Sequence, residues 1–359
     1  MNGTVSSTVA ARAVDRRRSR VLRHRGLSLR VDLRTVAVDA GLVVLILVAG
    51  AVTLSTGDYH VPLPDVIRTL LGGGSGSERF IVETLRLPRL LTGLVVGAAL
   101  GVGGAVFQSV SRNPLGSPDI VGFDTGAATG ALVVILALHG SMGEISLGAI
   151  AGGLATALLV YLLAMKRGGT GYRLILVGIG VAATLTSVNS YLLTRANVTD
   201  AQQAAGWLAG SLNGRGWEQV RPVTVALVVL LPLAVGLGRS LRTLELGDDT
   251  AQALGVRAER TRIASLLVGV GLTAVATAAA GPISFIALAA PQIARRLTRV
   301  PGPNVVPAAL TGALLLAVSD LAAQRVFQPT ELPVGVMTGV VGGLYLVWLL
   351  AREWRQGRG

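Results

Sequence analysis

Cysteine is absent from this chain of 359 residues, and histidine occurs only three times. Without cysteine, the chain can form neither a disulfide nor a thiolate metal site. The histidines His24, His60 and His139 are scattered, and no His-Glu-x-x-His sequence or aspartate pair lies in an apolar run. The sequence therefore predicts no metal site, no catalytic residues and no cofactor bound by this chain.

Lysine is equally scarce, which bears on the source of energy for any work that the protein does. The single lysine, Lys166, is followed by Arg167, whereas the phosphate-binding loop of ATPases requires Gly-Lys before Ser or Thr. Any ATPase must therefore be a separate polypeptide. Ion-driven carriers usually hold ionisable residues near the membrane midplane. Here the relevant aspartates fall at or near the ends of apolar runs, which leaves an ion-coupled carrier as the weaker alternative: Asp39, Asp124 and Asp320.

Charged residues make up only 14% of the chain, while hydrophobic residues reach 51%. A typical soluble domain carries about 25% charged residues, and a membrane-spanning helix needs about 20 apolar residues. Nine long runs lack any charge: 40–57, 90–111, 125–143, 145–165, 174–194, 222–238, 263–294, 300–319 and 332–351. The run 263–294 is too long for one span and is broken at Gly281-Pro282. The sequence thus predicts an all-α polytopic membrane protein with about ten transmembrane helices.

The basic residues predict how these spans are oriented. With the N-terminus in the cytoplasm, 24 of the 32 basic residues fall on cytoplasmic segments and 8 on outer segments. Because segments rich in Lys and Arg stay inside, we expect both termini to be cytoplasmic. The net charge of +13 then reflects membrane topology rather than nucleic-acid binding. The basic tail is interpreted as an anchor that contacts anionic lipid.

The domain organisation follows from the same runs. We expect a basic cytoplasmic tail over 1–35 and one ten-helix transmembrane domain over 36–355, with its largest cytoplasmic loop over 239–262. In the first outer segment, 58–88, residues 63–71 predict a short amphipathic helix at the membrane interface.

The cytoplasmic loop contains the most informative segment, 244–256. Gly247 allows a tight turn, Asp248 and Asp249 suit a helix N-terminus, and Gly255 suits the C-terminal cap. A helix of about two turns is marginal alone in water, so its apolar residues need a surface to pack on: Ala251 and Leu254. The segment is either an element that docks on a partner protein or an ordinary surface helix.

The pattern Gly-Asp-Asp-x-Ala-x-x-Leu-Gly-Val over 247–256 resembles the coupling loop of FecCD-type permeases, which import iron-siderophore complexes, haem and cobalamin. Four further segments of that family's pattern occur in the expected order: Leu85-Arg-Leu-Pro-Arg89, Asn113-Pro-Leu-Gly-Ser-Pro-Asp119, Gly281-Pro-Ile-Ser-Phe with Pro291-Gln292, and Glu331-Leu-Pro-Val-Gly-Val336. Each segment alone is weak evidence for the family. The ordered set is specific, and it covers nearly the whole chain except the tail.

This resemblance implies the type II architecture of ATP-binding-cassette (ABC) importers. Such importers have two permease subunits of ten helices each, an ABC ATPase dimer that holds ATP and Mg²⁺, and a substrate-binding protein. The substrate would pass between the permease subunits, while the coupling helices would fit clefts on the ATPases and transmit their closure. In this sequence the coupling role maps onto Gly247, Asp248, Asp249, Ala251, Ala253, Leu254, Gly255 and Val256.

The resemblance also implies a role for the outer arginines. In the family, arginines of the Leu-Arg-Leu-Pro-Arg motif pair with carboxylates of the binding protein, which here corresponds to Arg86 and Arg89. The alternative is that these arginines extend to the lipid headgroups. A further outer arginine of some relatives is Gln324 here, and the adjacent Arg325 is the substitute candidate.

Six other positions are interpreted as structural or gate residues: Asn113, Pro114, Gly281, Pro282, Pro291 and Gln292. Most relatives follow the proline with His. The Pro-Gln form is closer to the ferric-enterobactin members, which pair with a non-identical subunit. The resemblance therefore implies a ferric siderophore as the transported substrate and a heterodimer of permeases, with cobalamin or haem as the alternative.

Overall fold

The computed structural model describes residues 19–24, 27–165, 171–327 and 330–356. Most of the predicted basic tail, residues 1–18 together with 25 and 26, lies outside these ranges, as do Lys166 and Arg167.

The described part of the tail contains an antiparallel pair of strands, β1 (Ser19–His24) and β2 (Leu27–Asp32). Their register pairs Ser19 with Asp32 and His24 with Leu27. Apolar residues at every second position of β2, from Leu27 to Val31, are the period-two pattern of a strand. This pair of strands was not predicted.

All other regular elements in the described ranges are helical, which confirms the predicted all-α class. The helices are α1 Leu33–Ser55, α2 Leu63–Leu70, α3 Gly76–Arg79, α4 Leu87–Ser111, α5 Phe123–Val133, α6 Met142–Met165, α7 Gly171–Arg195, α8 Val198–Leu208, α9 Trp217–Leu244, α10 Asp248–Ala253, α11 Ala258–Ala280, α12 Ile286–Thr298, α13 Val305–Arg325 and α14 Val334–Gln356. Two π-helical turns, Phe80–Arg86 and Val134–Leu138, join α3 to α4 and extend α5.

The ten predicted spans coincide with helices of the structure. Within the described residues, seven helices are long and apolar enough to cross a membrane, and two apolar helices, 123–138 and 334–348, are shorter. The tenth segment is α12, with 13 residues. The predicted break at Gly281-Pro282 is confirmed, because α11 ends at Ala280 and α12 begins at Ile286.

The outer segment predicted over 58–88 is shorter than expected, because one continuous helix runs from Gly76 to Ser111. Pro88 is tolerated inside this helix because a π-helical turn precedes it, in which the N–H of Leu87 donates to the carbonyl of Val82. A π-helical turn is a common way to absorb a disturbance of the helical hydrogen-bond ladder. Arg86 and Arg89 therefore project from a helix.

Burial separates three central helices from the rest. In the most apolar window of each span, 83% of the α4 residues, 72% of those in α11 and 61% of those in α13 are buried, against 17% in α1, α7 and α9. A Cβ atom on Gly97 of α4 would lie 2.4 Å from the carbonyl oxygen of Gly312 in α13. Small residues permit such close packing of membrane helices. The central helices α4, α11 and α13 thus form the frame that positions both ends of the bundle.

Candidate functional site

The segment predicted to couple to a partner forms α10, a helix of six residues at one end of the bundle. We call this end the inner end, following the arginine count, and the opposite end the outer end. Gly247 precedes α10 with φ of 113° and Gly255 follows it with φ of 82°, a region that glycine adopts readily. The N–H of Gly255 donates to the carbonyl of Gln252 and that of Val256 to the carbonyl of Ala251, both at 2.9 Å. This is a Schellman motif, so the predicted C-terminal cap is confirmed.

Ala251 in α10 and Leu254, which directly follows α10, have different surroundings. Ala251 is fully buried by this chain's own core, so the expectation that it needs a partner's surface is wrong. Leu254 is 65% exposed, and Leu246, which the sequence analysis did not single out, is 66% exposed. Asp249 and Ala253 are also exposed. The inner end therefore presents a short, capped helix flanked by two uncovered leucines.

Asp248 belongs to an inner ion cluster, which we define as Arg112, Asp248 and Arg262. The Nη2 atom of Arg262 lies 3.0 Å from Asp248 Oδ2, and Arg112 contacts Asp248 Oδ1. Partial burial acts to raise the pKa of Asp248, but hydrogen bonds and charges from Arg262 and Arg112 outweigh it and hold the pKa below its ordinary value. Because Arg112 ends α4 and Arg262 lies on α11, the cluster fastens the N-terminus of α10 to two central helices.

Four of the gate candidates meet beside this cluster, at the inner end. Gln292 on α12 donates to the carbonyl of Pro114 at 2.7 Å and to Oε1 of Gln108 at 2.9 Å. Pro291 is buried next to Gln292, and Asn113 Oδ1 accepts from the N–H of Leu115 at 2.9 Å, which shapes the turn that holds Pro114. Gln108 connects this group and was not singled out. The only signal for it was an amide in an otherwise apolar helix.

The other two gate candidates lie at the outer end. Gly281 has φ of 76° and ψ of 179°, and a Cβ there would lie 2.4 Å from the carbonyl oxygen of Trp207. The neighbouring carbonyl of Ala280 accepts from the N–H of Ser211 at 2.7 Å. Gly281 and Pro282 therefore form a tightly packed break between α11 and α12, and Gly281 packs on Trp207 and Gly210 rather than on the inner group.

Arg89 belongs to an outer ion cluster, which we define as Arg89, Asp320 and Glu331. Its guanidinium makes two hydrogen bonds to Asp320, of 2.9 and 3.0 Å, and one of 3.0 Å to Glu331. The side chains of Arg89 and Asp320 are only 15% and 6% exposed. Gln324 also donates to Asp320, at 2.7 Å. This cluster was not predicted, because Arg89 lies 231 residues before Asp320 and 242 residues before Glu331.

Arg86 and Arg325 share with Arg89 the lining of an outer cavity of about 280 Å³. Arg86 donates to the carbonyls of Leu54 and Tyr59. Leu54 lies in the last turn of α1, so the cation satisfies a carbonyl at a helix C-terminus. Arg86 and Arg89, predicted from one motif, are thus brought together with Arg325, although each has a different environment.

This geometry can be compared with known proteins. The model of the FecCD transport family matches residues 43–352. The chain belongs to the FecCD transport family. The resemblance found in the sequence motifs is therefore confirmed, and the role of this FecCD-family chain is transport rather than catalysis.

Relatives agree over almost their full lengths. The ferric enterobactin transport system permease protein FepG of Escherichia coli is 49% identical over 315 residues, which cover 88% of this chain and 96% of FepG. The Fe(3+) dicitrate transport system permease protein FecD of Escherichia coli is 40% identical, with 85% and 95% covered. A solved structure of a metal-chelate type ABC transporter in an inward-facing conformation is 26% identical, with a TM-score of 0.80 and 88% and 99% covered. This FecCD-family chain is therefore a multi-pass protein of the inner membrane with that transporter's fold.

Proposed function

We propose that this chain is one permease subunit of an ABC importer for a ferric siderophore, paired with a second, non-identical permease. A separate ABC ATPase dimer would hold ATP and Mg²⁺ and supply the energy, and a binding protein would deliver the substrate. The observation that carries the substrate class is the 49% identity with the ferric enterobactin permease protein. The Fe(3+) dicitrate relative supports the broader class of ferric chelates.

The exposed face of α7 supports a pathway along a subunit interface. Five hydroxyl side chains on this helix are exposed: Thr184, Thr186, Ser187, Ser190 and Thr194. By contrast, the exposed large side chains in the middle of α9, between Pro222 and Gly238, are apolar, including Val225, Val228 and Val229. Lipid tails favour an apolar surface such as that of α9. We therefore assign α9 to lipid and the hydroxyl face of α7 to a water-containing passage beside the second permease.

The inner end supports the ATPase contact. α10 presents Leu246 and Leu254 uncovered, and apolar side chains beside a rigid cap suit a cleft on another protein. The exposed Asp249 and Ala253 complete this surface. With both termini in the cytoplasm, as the basic residues indicate, this surface would face an ATPase on the cytoplasmic side.

The outer end supports docking of a binding protein through carboxylates. Arg89 is already neutralised by Asp320 and Glu331, so it stabilises the outer end of this chain and offers little free charge to a binding protein. Arg86 and Arg325 line the same cavity and bind no carboxylate through any contact found in the described residues. We therefore assign the docking charge mainly to Arg86 and Arg325.

The test is uptake of radio-iron in cells that lack the gene and in cells where it is restored. Iron is presented on several siderophores, beside labelled cobalamin and haem. We expect loss and recovery of one ferric-siderophore flux that ATP depletion abolishes. A matched pair of variants tests the pathway, since Ser187→Leu should reduce uptake while Val228→Leu, on the lipid face, should not. Lost cobalamin or haem uptake with unchanged iron uptake would contradict the substrate, and uptake that survives ATP depletion would contradict the importer.

A further inference from the structure

We propose that the last turn of α4, through Arg112 and Ser109, is the mechanical link that carries movement of α10 to the inner gate residues around Gln292. This inference rests on the proposed function, because it requires an ATPase that moves α10. It assigns to Asp248 and Glu245 a role within this chain instead of a contact with the partner.

The first part of the link joins α10 to α4. Arg112 contacts Asp248, the first residue of α10. One turn earlier on α4, Ser109 Oγ donates to Glu245 Oε1 at 2.7 Å, and Glu245 immediately follows α9. Two side-chain contacts thus tie α4 to both ends of the short connection that leads into α10. Hydrogen bonds in which one partner is ionised are among the stronger contacts available here.

The second part of the link joins α4 to the gate candidates. Gln108, adjacent to Ser109, donates to the carbonyl of Leu288 at 3.1 Å and accepts from Gln292. Arg295 also contacts Gln108 Oε1. Since Gln292 holds the carbonyl of Pro114, the same turn of α4 contacts α12 and the segment after α4. One helical turn therefore touches both inner elements that carry the gate candidates, α12 and the segment after α4.

The burial of the members explains how such a link can transmit movement. Gln108 and Ser109 are 2% and 1% exposed, so their contacts lie in a packed region with little room for independent displacement. Arg112 and Asp248 are 38% and 39% exposed, so water can solvate them if the pair re-forms at a new angle. The contacts of Gln108 and Ser109 are fixed by packing, so these residues and their neighbours move together. The Arg112–Asp248 pair can change its angle without breaking, which suits a link between a moving helix and a packed group.

The first test measures coupling in the whole importer, and the second uses the absence of cysteine from this chain. The whole importer, with its second permease, ATPases and binding protein, is placed in proteoliposomes, and uptake per ATP hydrolysed is measured. For Arg112→Gln we expect hydrolysis to continue while uptake per ATP falls about fivefold or more, the lower range of a typical coupling effect. Arg221→Gln, which removes an exposed arginine at the outer end, is the matched control and should leave the ratio unchanged.

A covalent replacement of the ion pair separates a link from a merely structural contact. The double variant Arg112→Cys/Asp248→Cys should be uncoupled, and a short bifunctional thiol reagent that joins the two cysteines should restore most of the uptake per ATP. An unchanged ratio in Arg112→Gln would overturn the proposal, as would failure of the confirmed cross-link to restore uptake. If the unaltered importer itself shows no ATP-driven uptake, the proposed function fails instead.

Discussion

The two ends of the bundle use the same chemistry, arginine paired with aspartate, in opposite settings. In the outer ion cluster the Arg89 and Asp320 side chains are 15% and 6% exposed, whereas the Arg112 and Asp248 side chains of the inner ion cluster are 38% and 39% exposed, although Arg262 there is 12% exposed. A desolvated pair is costly to break because the remaining charge has no solvent, while an exposed pair contributes little net stability. The Arg89–Asp320 pair therefore stabilises the fold, and the Arg112–Asp248 pair can break and re-form at little cost in stability.

Two glycines with positive φ repeat this contrast. Gly281 at the outer end faces backbone atoms at 2.4 Å from its missing Cβ, whereas nothing lies within 4 Å of that position at Gly255. The outer end is thus packed to backbone contact, and the inner end leaves space. The proposed docking of an ATPase at the inner end would use this asymmetry.

The largest effect is expected from breaking the outer cluster. Arg89→Leu leaves Asp320 buried without its cation and should lower the free energy of unfolding by about 3–5 kcal/mol. The thermal unfolding midpoint of the purified protein measures this loss. Because an apolar pair of similar size can replace a buried ion pair, Arg89→Leu/Asp320→Leu should recover much of the midpoint. A double variant as unstable as the single one would show that Arg89 stabilises the outer end in another way.

The glycine comparison predicts an intermediate effect. Gly281→Ala combines a backbone conformation that only glycine adopts with a steric clash, at about 1–3 kcal/mol for each cause. Gly255→Ala has the conformational cost alone, about 1–2 kcal/mol. Midpoints measured side by side should therefore fall further for Gly281→Ala. Equal losses would mean that the packing difference between the two ends has no energetic weight.

Gly255→Val should separate function from stability at the inner end. A β-branched residue cannot adopt this φ without strain, so the Schellman motif would open and α10 would lose its fixed position. We expect ATP-driven uptake to be abolished while membrane insertion and the outer end stay intact. Protein amount in the membrane and uptake are measured together, and normal uptake would remove α10 from the coupling role.

The smallest effect concerns pH. The pKa of Asp248 is held below its ordinary value, so its contribution to stability is fully present above the unfolded value of about 4 and is lost as pH falls through the folded value. The midpoint difference between the unaltered protein and Asp248→Asn should be constant from pH 8 to pH 5, begin to shrink near pH 4, and vanish only when the pH lies below the folded value. It should correspond to about 0.2–1 kcal/mol, as for exposed pairs. A difference that changes between pH 6 and pH 8 would contradict this.

Local signals in the sequence were enough to predict the spans, the break at Gly281-Pro282 and the cap at Gly255, because each depends on residues within one or two turns. The ion clusters could not be predicted, since Arg89 and Asp320 meet only after α4 and α13 have packed. The same holds for Ala251, whose burial depends on neighbouring helices. The continuous helix through Pro88 was missed because the π-helical turn before it has no sequence signature.

The hydroxyls of α7 have one more consequence. Each already donates its proton to the carbonyl four residues earlier, as Thr184 does to Gly180 at 2.9 Å and Ser187 to Ala183 at 3.1 Å. These hydroxyls offer a passing molecule oxygen lone pairs but no free O–H donors. The surface is polar enough to admit a polar chelate, but it binds that chelate only weakly. In the proposed passage, a cargo would then stay only briefly and would have no well-defined binding site. Discrimination between cargoes would depend on the protein that delivers them.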